Sequence, residues 1–363
     1  MKIIHFSDIH LSDKNYTEFE RNFKDALIED LIISHRKEPI DLIVITGDLI
    51  DKGGHSLKNI EGYAHLENPF DIFNSLFIKP IKENLSLDNT NFLLIPGNHD
   101  IDEANILWVD EKKMKSEINF ITVDSYLRKN SSKINSSNLR IKNFKDFEKE
   151  FHSATDNYEF SYNQSTYIYT SGDGIKFGFL LVNDSWRCST CTLDDPEKNH
   201  HYFGIGQLHE GLKTFKNNLT NINICLFHHP IEVFKEKDEL EKILSFKDLH
   251  LYLFGHFHKS RYEKVIKANG SCLGFRGRGL LNKPDEEMVD FKPGYQIFTL
   301  AKDKVKIIEH RIYNSSSYSF IPDTFTAPEN GIDKGEGGNG YQFSNIKNKV
   351  NLDSLDVSDF NQG

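Results

Sequence analysis

Five apolar runs of strand length constrain the fold more than any other feature, because each one ends in a short polar cluster. The runs cover residues 2–7, 41–46, 91–96, 222–227 and 250–254. Their β-branched, leucine and aromatic content is typical of strands buried on both faces. Sheets of this kind place their ligands at the carboxyl ends of the strands. The sequence therefore predicts that the five polar clusters meet at one edge of the fold.

Helical patterns lie between these runs. Residues 17–35, 70–85 and 207–219 carry apolar side chains at helical spacing, and Thr17 is a candidate cap for the first of these helices. Strands that alternate with helices predict an α/β fold. Further strand patterns between residues 261 and 312 are expected to add antiparallel pairing.

Composition excludes several classes of protein. The chain has 363 residues, 44 Lys and Arg against 54 Asp and Glu, and a net charge of −10, which argues against non-specific nucleic-acid binding. Four cysteines are too few for a disulfide scaffold. The N-terminal apolar run meets a charged residue, Asp8, too early for a signal peptide, and no apolar run is long enough for a membrane span. We expect a soluble, cytoplasmic protein that does not bind membranes.

Two segments depart from the alternating pattern. Residues 102–160 are polar and mostly helical in pattern, and residues 110–150 within them carry a net charge of +3. Residues 315–363 are rich in Gly, Ser and Asn, with a net charge of −4, which is typical of a linker. We therefore expect a catalytic domain over 1–314, interrupted by a basic helical insertion at about 102–160, and an acidic tail or linker over 315–363.

The polar clusters combine carboxylate, amide and imidazole side chains and contain no thiolate. They are Asp8, His10, Asp48, Asn98, His99, His228, His256 and His258. A mixed oxygen and nitrogen site of this kind suits Mn²⁺, iron or Zn²⁺. The set exceeds the coordination number of one ion, so it predicts two divalent ions sharing a carboxylate, a device that cleaves phosphoesters. Asp8 and His10 are expected to share one side of an extended segment, with Ile9 facing the core, and Gly47, Gly97 and Gly255 to permit tight turns.

Five ordered motifs resemble the signature of the calcineurin-like metallophosphoesterase family. They are Asp8-Ile9-His10, Gly47-Asp48, Gly97-Asn98-His99-Asp100, His228 and Gly255-His256-Phe257-His258. All five follow the family's order within residues 1–312. A weaker similarity, which includes the segments 181–185 and 204–208, points to the cyclic-nucleotide-phosphodiesterase-like branch.

The resemblance implies a two-layer β-sandwich flanked by helices, with metal ligands at the carboxyl ends of the strands. It implies two metal sites that share Asp48, with Asp8, His10 and His258 at one ion and Asn98, His228 and His256 at the other. His228 is preferred to His229 because it aligns with the family's single histidine. The resemblance also implies that His99 acts near the leaving-group oxygen and that Asp100 orients His99.

The function implied is a binuclear metal-dependent phosphohydrolase. The expected reaction is phosphodiester hydrolysis of a small anionic substrate such as a nucleotide, by a hydroxide held between two ions, with Mn²⁺ the expected metal and iron or Zn²⁺ as alternatives. Two other functions stay open: a nuclease similar to the DNA-repair enzymes of this superfamily, and a non-catalytic binding or effector module. Exact substrate, oligomeric state and protein partners are not indicated by the sequence.

Other residues invite local interpretations. Cys188 and Cys191 have the spacing of half a zinc site, with His200 and His201 nearby, but a free thiol pair in a loop is the preferred interpretation. His5 lies within a strand pattern and is expected to be a core residue.

The insertion has two interpretations of equal weight, a solvated charged face or a cap over the substrate. Trp108, Tyr126 and Trp186 are candidates for stacking on a base or phenyl group.

Overall fold

Two mixed β-sheets and a set of helices make up the computed structural model of the chain. It describes residues 1–134, 138–189, 201–246, 248–256, 261–267, 270–281 and 292–343. The strands are β1 (Lys2–Phe6), β2 (Leu42–Thr46), β3 (Phe92–Ile95), β4 (Tyr158–Glu159), β5 (Ser165–Thr170), β6 (Lys176–Leu181), β7 (Ile222–Leu226), β8 (Leu251–Phe254), β9 (Arg261–Lys267), β10 (Gly270–Arg276), β11 (Gly294–Leu300), β12 (Lys304–Asn314), β13 (Ser319–Pro322), β14 (Ile332–Asp333) and β15 (Tyr341–Gln342).

The first sheet has the order β13-β12-β11-β1-β2-β3, with β14 and β15 also paired to β12. Within it, β1, β2 and β3 are parallel and β11 is antiparallel to β1. The second sheet has the order β4-β5-β6-β7-β8-β10-β9, with β6, β7, β8 and β10 parallel. The five predicted strands are thus confirmed as β1, β2, β3, β7 and β8.

The helices are α1 (Asp13–Glu18), α2 (Lys24–Lys37), α3 (Pro69–Phe73), α4 (Lys79–Leu85), α5 (Trp108–Glu117), α6 (Val123–Asn130), α7 (Lys142–Phe151), α8 (Gly206–Asn217) and α9 (Lys237–Phe246). Single π-helical turns join α1 to α2 and α3 to α4. The predicted cap at Thr17 is wrong. The helix begins at Asp13, and its N-cap is Ser12, whose backbone N–H donates to Asn15 Oδ1 at 2.9 Å. In the part of the chain that the structure describes, every helix is too short or too polar for a membrane span.

Alternating side chains of the central strands divide the core into layers. In β2, Leu42 and Val44 pack toward the second sheet, whereas Ile43 and Ile45 pack against the helices that cover the first sheet. In β7, Ile224 faces the first sheet, and the opposite side of the strand packs against α8 and α9. This arrangement confirms the predicted two-layer sandwich flanked by helices.

The predicted basic insertion contains α5, α6 and α7. A small apolar cluster that includes Met114, Leu127, Trp186 and Tyr202 joins α5 and α6 to the loops on either side of the segment 190–200. Trp186 is buried and donates its indole N–H to the Tyr202 carbonyl oxygen at 2.9 Å. Trp186 is therefore a core residue of this contact, whereas Trp108 is half exposed.

The segment that follows residue 314 differs from the predicted tail or linker. Strands β13, β14 and β15 all pair with β12, and Phe320 and Phe343 are buried in the core. Its glycine content is typical of a linker, but several of these glycines have positive φ in the turns between these short strands. Residues 315–343 therefore belong to the folded domain, and residues 344–363 lie outside the described part of the chain.

Candidate metal centre

The carboxyl ends of strands from both sheets meet at one edge of the sandwich. The first sheet contributes Asp8, His10, Asp48 and Asn98 from the loops after β1, β2 and β3. The second sheet contributes His228 and His256 from the loops after β7 and β8. Ligand atoms of Asp8, Asp48 and His228 all lie within 4.8 Å of one another. The seventh predicted metal ligand, His258, lies outside the described residues.

Asp48 occupies the centre of this cluster. Its Oδ2 lies 3.5 Å from His10 Nε2 and 3.3 Å from His228 Nε2, so one oxygen faces two imidazoles. Its Oδ1 accepts the backbone N–H of His99 at 2.8 Å. Asp48 therefore lies between the two halves of the cluster, where sequence analysis expects the shared carboxylate.

Asn98 links the two histidines that come from the second sheet. Its Oδ1 lies 3.2 Å from His228 Nε2 and 3.1 Å from His256 Nδ1. His228 presents Nε2 because its Nδ1–H donates to the Thr46 carbonyl oxygen at 2.7 Å, which fixes the tautomer and the orientation of the ring. Asp8 is held by the Ser7 hydroxyl at 2.5 Å and by the backbone N–H of His256 at 3.2 Å.

The backbone turns sharply at the polar clusters. Asp8, His10, Asp48 and His256 all have positive φ, between 48° and 74°. The left-handed conformation costs a non-glycine residue roughly 1–2 kcal/mol, and such strain is concentrated at functional sites. The predicted extended geometry of Asp8 and His10 is therefore wrong, although Ile9 between them is buried in the core as expected.

Two of the predicted turn glycines are required for space rather than for φ. Gly47 has a φ of 88°, but Gly97 and Gly255 do not adopt positive φ. A Cβ on Gly97 would lie 2.2 Å from Asp48 Oδ1, and one on Gly255 would lie 2.0 Å from Ser7 Oγ. Both glycines therefore keep room for the side chains that hold the carboxylate cluster.

The charges of the cluster depend on one another. Burial alone would raise the pKa of Asp48, but His228, His99 and His10 outweigh it and hold that pKa well below its ordinary value. Burial disfavours the charged form of His228, yet Asp48 raises the pKa of His228 to about 10. The Asp48 carboxylate is thus surrounded by groups that favour its ionised form, the form that binds a cation.

His99 lies beside this cluster, with its ring centroid 4.6 Å from that of His10. Its Nδ1 is hydrogen bonded to Asp51 Oδ1 at 2.8 Å. The Asp100 carboxylate instead accepts the backbone N–H groups of Gly97 at 2.7 Å and Ile50 at 3.0 Å. Asp51, which the sequence analysis did not single out, is therefore the carboxylate that orients the His99 ring. The sequence does carry a signal for this role of Asp51, because Asp51 lies in the same polar segment after β2 as Asp48.

A further polar cluster follows β6. Asp184 is buried, and its two oxygens accept the backbone N–H groups of His228 at 3.1 Å and His229 at 2.8 Å. Cys188 and His201 are also buried, whereas Cys191 and His200 lie outside the described residues. His5 is confirmed as a core residue, bonded to Thr46 Oγ1 at 2.8 Å.

Comparisons with known proteins place the chain in a family. Residues 1–260 match the family of calcineurin-like phosphoesterases. The uncharacterized metallophosphoesterase-like protein YydB of Bacillus subtilis (strain 168) is 24% identical over 282 residues, which cover 74% of this chain and 51% of YydB. The chain therefore spans about half the length of this relative.

Two solved structures resemble the chain at low identity. The calcineurin-like phosphoesterase YfkN from Bacillus subtilis is 13% identical, covers 95% of this chain and 94% of its own, and has a TM-score of 0.42. The Zn²⁺ complex of Vps29 from Entamoeba histolytica is 11% identical, covers 89% and 97%, and has a TM-score of 0.30. The family match itself covers most of the chain, and members of that family are phosphoesterases that use divalent metal ions. The chain belongs to the calcineurin-like phosphoesterase family.

Proposed function

We propose that the protein is a binuclear metal-dependent phosphodiesterase that hydrolyses a small phosphoester such as a nucleotide. The observation that carries this proposal is the position of Asp48, whose carboxylate lies among imidazole and amide groups contributed by both sheets. The similarity of several segments to the cyclic-nucleotide-phosphodiesterase-like branch supports the substrate class.

The donor set fits two divalent ions. Ligand atoms bound to a first-row ion at about 2.1 Å lie roughly 3.0–3.4 Å apart. The measured separations around Asn98 Oδ1 and Asp48 Oδ2 range from 3.1 to 3.5 Å. We assign Asp8, His10 and His258 to one ion, Asn98, His228 and His256 to the other, and Asp48 to both. Mn²⁺ is the preferred metal for these hard oxygen and imidazole ligands, with iron or Zn²⁺ as alternatives.

When bound, two such ions lower the pKa of a coordinated water and neutralise charge on the phosphoryl group. Among the protein's side chains, His99 is the one that assists departure of the leaving group. Its Nδ1–H donates to Asp51, so its Nε2 is the atom that delivers a proton to the departing oxygen. The Asp51 carboxylate stabilises the charged imidazolium that must precede this transfer, and Asp100 holds the loop through two backbone N–H groups.

The test is Mn²⁺-stimulated hydrolysis of bis(p-nitrophenyl) phosphate by the full chain. Asp48→Asn is expected to abolish activity and bound Mn²⁺ without unfolding the protein, because it removes the shared charge. Asp173→Asn, in an exposed turn between β5 and β6, is the matched control and is expected to retain both. Retained activity in Asp48→Asn would contradict the assignment of the shared ligand.

A substrate panel separates the remaining alternatives. We expect turnover of cyclic nucleotides or dinucleotides to exceed that of single-stranded DNA, since the chain as a whole is acidic. Phosphomonoesters in the same panel test whether the enzyme is a diesterase, as proposed, or a monoesterase. Preference for DNA would establish the nuclease alternative. Bound metal with no activity on any substrate would favour a non-catalytic binding or effector module. The cytoplasmic location remains a prediction of the sequence.

A further inference from the structure

A second group of metal-binding side chains lies next to the Asp48 cluster. Cys188 follows β6, His201 precedes α8, and His229 follows β7. Cys188 Sγ lies 3.8 Å from His201 Nδ1 and 3.8 Å from His229 Nε2. The three donor atoms all lie within 4.8 Å of one another, and all three residues are buried. Three separate loops thus bring one sulfur and two nitrogen atoms close together.

The Asp184 carboxylate orients the His229 ring. Its Nδ1 lies 2.9 Å from Asp184 Oδ2, and a carboxylate partner makes this nitrogen the one that carries the proton. The lone pair of Nε2 is consequently directed toward Cys188. A carboxylate that fixes the tautomer of an imidazole in this way is the usual support of a histidine that binds a metal.

Hydrogen bonds hold this group only weakly. The Cys188 thiol can donate to His229 Nε2 and accept from His201 Nδ1–H, but sulfur is both a weak donor and a weak acceptor. A cation bound to the sulfur and to these two nitrogens would hold the three donor atoms more strongly.

The spacing agrees with a tetrahedral site. With bonds of about 2.3 Å to sulfur and 2.0–2.1 Å to nitrogen, tetrahedral angles place sulfur and nitrogen about 3.6 Å apart. Both measured separations are 3.8 Å, which a change of about 0.2 Å brings to that value. Three protein ligands leave one position for a further ligand.

We propose that Cys188, His201 and His229 form a third metal site, which binds a thiolate-preferring ion such as Zn²⁺. The Asp48 cluster has no sulfur donor, so the two sites differ in the class of metal they select. They are neighbours, since the rings of His229 and His256 have centroids 4.6 Å apart. Asp184 contacts both, through the backbone N–H of His228 and the ring of His229.

A metal at this position would join three loops at the edge of the second sheet. It would tie the segment after β6 to the segment before α8 and to the end of β7. The His201 ring also packs against Phe234, 5.0 Å between centroids, in the loop before α9. The site would therefore fix the loop that presents His228, and its existence does not depend on whether the Asp48 cluster hydrolyses phosphoesters.

The experiment uses Co²⁺ as the probe, with the full chain stripped of metal and kept reduced. We expect a near-ultraviolet thiolate-to-cobalt charge-transfer band corresponding to one site per chain. Cys188→Ala should remove this band and one equivalent of bound Co²⁺. Cys272→Ala, which removes another buried cysteine, should leave both unchanged. Asp48→Asn should keep the band while losing metal from the other cluster, so failure of one proposal can be distinguished from failure of the other.

A second measurement holds even if Cys188→Ala does not fold. X-ray absorption of the Zn²⁺-loaded wild-type chain should show one sulfur scatterer at about 2.3 Å together with nitrogen ligands. Absence of sulfur from the zinc environment, or a charge-transfer band that persists in Cys188→Ala, would overturn the proposal.

Discussion

Glu111 neutralises two buried arginines that join the insertion to the loop after β6. Its carboxylate binds Arg140 Nη2 through one oxygen and Arg187 Nη2, at 2.6 Å, through the other. All three side chains are at most 5% exposed. Arg140 also donates to the carbonyl oxygens of Arg187 and Cys188, both at 2.9 Å. We predict that Glu111→Gln, which preserves shape but removes the charge, destabilises this contact strongly.

The size of the expected loss in unfolding free energy follows from the burial of these three charged side chains. Removing one partner of a buried ion pair leaves an uncompensated charge and costs about 3–5 kcal/mol. Here one carboxylate serves two guanidinium groups, so the loss of unfolding free energy should reach at least the lower end of that range. Exposed ion pairs, by contrast, contribute about 0–1 kcal/mol.

The loss should also depend on pH in a defined direction. Burial raises the pKa of Glu111, but Arg140 and Arg187 outweigh it and leave the pKa below its ordinary value of 4.5. A carboxyl group with a lowered folded-state pKa stabilises the protein above its unfolded-state pKa, and this stabilisation is lost as the pH falls through the folded-state value. The difference between wild type and Glu111→Gln should therefore be full at pH 7 and shrink below pH 4.5.

The assay is urea unfolding of both proteins at neutral and acid pH, with hydrogen exchange of residues 184–189 as a local probe. Glu117→Gln is the matched control on the same helix, because Glu117 pairs with Lys113 on an exposed face, with side chains 61% and 72% exposed. It should lower stability by well under 1 kcal/mol. A loss below 1 kcal/mol for Glu111→Gln at pH 7, or one that does not change with pH, would refute the reasoning.

Three further changes test other parts of the structure. Gly97→Ala should prevent Mn²⁺ binding in a metal titration, because its Cβ would lie 2.2 Å from Asp48 Oδ1; undiminished affinity would contradict the geometry. Asp51→Asn should lower kcat at least tenfold while Mn²⁺ stoichiometry stays the same, as measured by steady-state kinetics and metal analysis. Phe320→Ala should lower the free energy of unfolding in urea by about 3–5 kcal/mol, whereas Phe325→Ala, at a residue 94% exposed, should leave it almost unchanged. Equal effects of the two changes would contradict the assignment of residues 315–343 to the folded core.

The sequence predicts the central strands and their polar ends because both signals are local. A strand buried on both faces is mostly apolar along its length, and polar residues such as Asp48 and His228 follow where the strand ends. The two-sheet architecture is predicted by the family resemblance that these polar motifs carry. The strand pattern also correctly separates His5, inside a strand, from the histidines that follow strands.

Features that depend on distant packing were missed. The sequence shows Gly97 and Gly255 beside polar residues, but not that Asp48 and Ser7 occupy the space where their Cβ atoms would lie. Likewise, the composition after residue 314 indicates a linker, because nothing local reveals that β12 offers an edge for these short strands. Pairing of this kind depends on the assembled sheet.

Buried aspartates show most clearly why residue type alone does not assign a role. Asp48 directs an oxygen at two imidazoles, Asp51 holds the ring of a third, and Asp100 and Asp184 both accept backbone N–H groups. These different neighbours shift the pKa values of Asp48 and Asp100 in opposite directions. Histidines keep the pKa of Asp48 low, whereas burial and then the nearby Asp48 raise the pKa of Asp100 to about 7. A carboxylate that faces several imidazoles is suited to a cation, and one that faces backbone amides is suited to holding a loop. Only the direction of its neighbours, which the fold sets, separates the two roles.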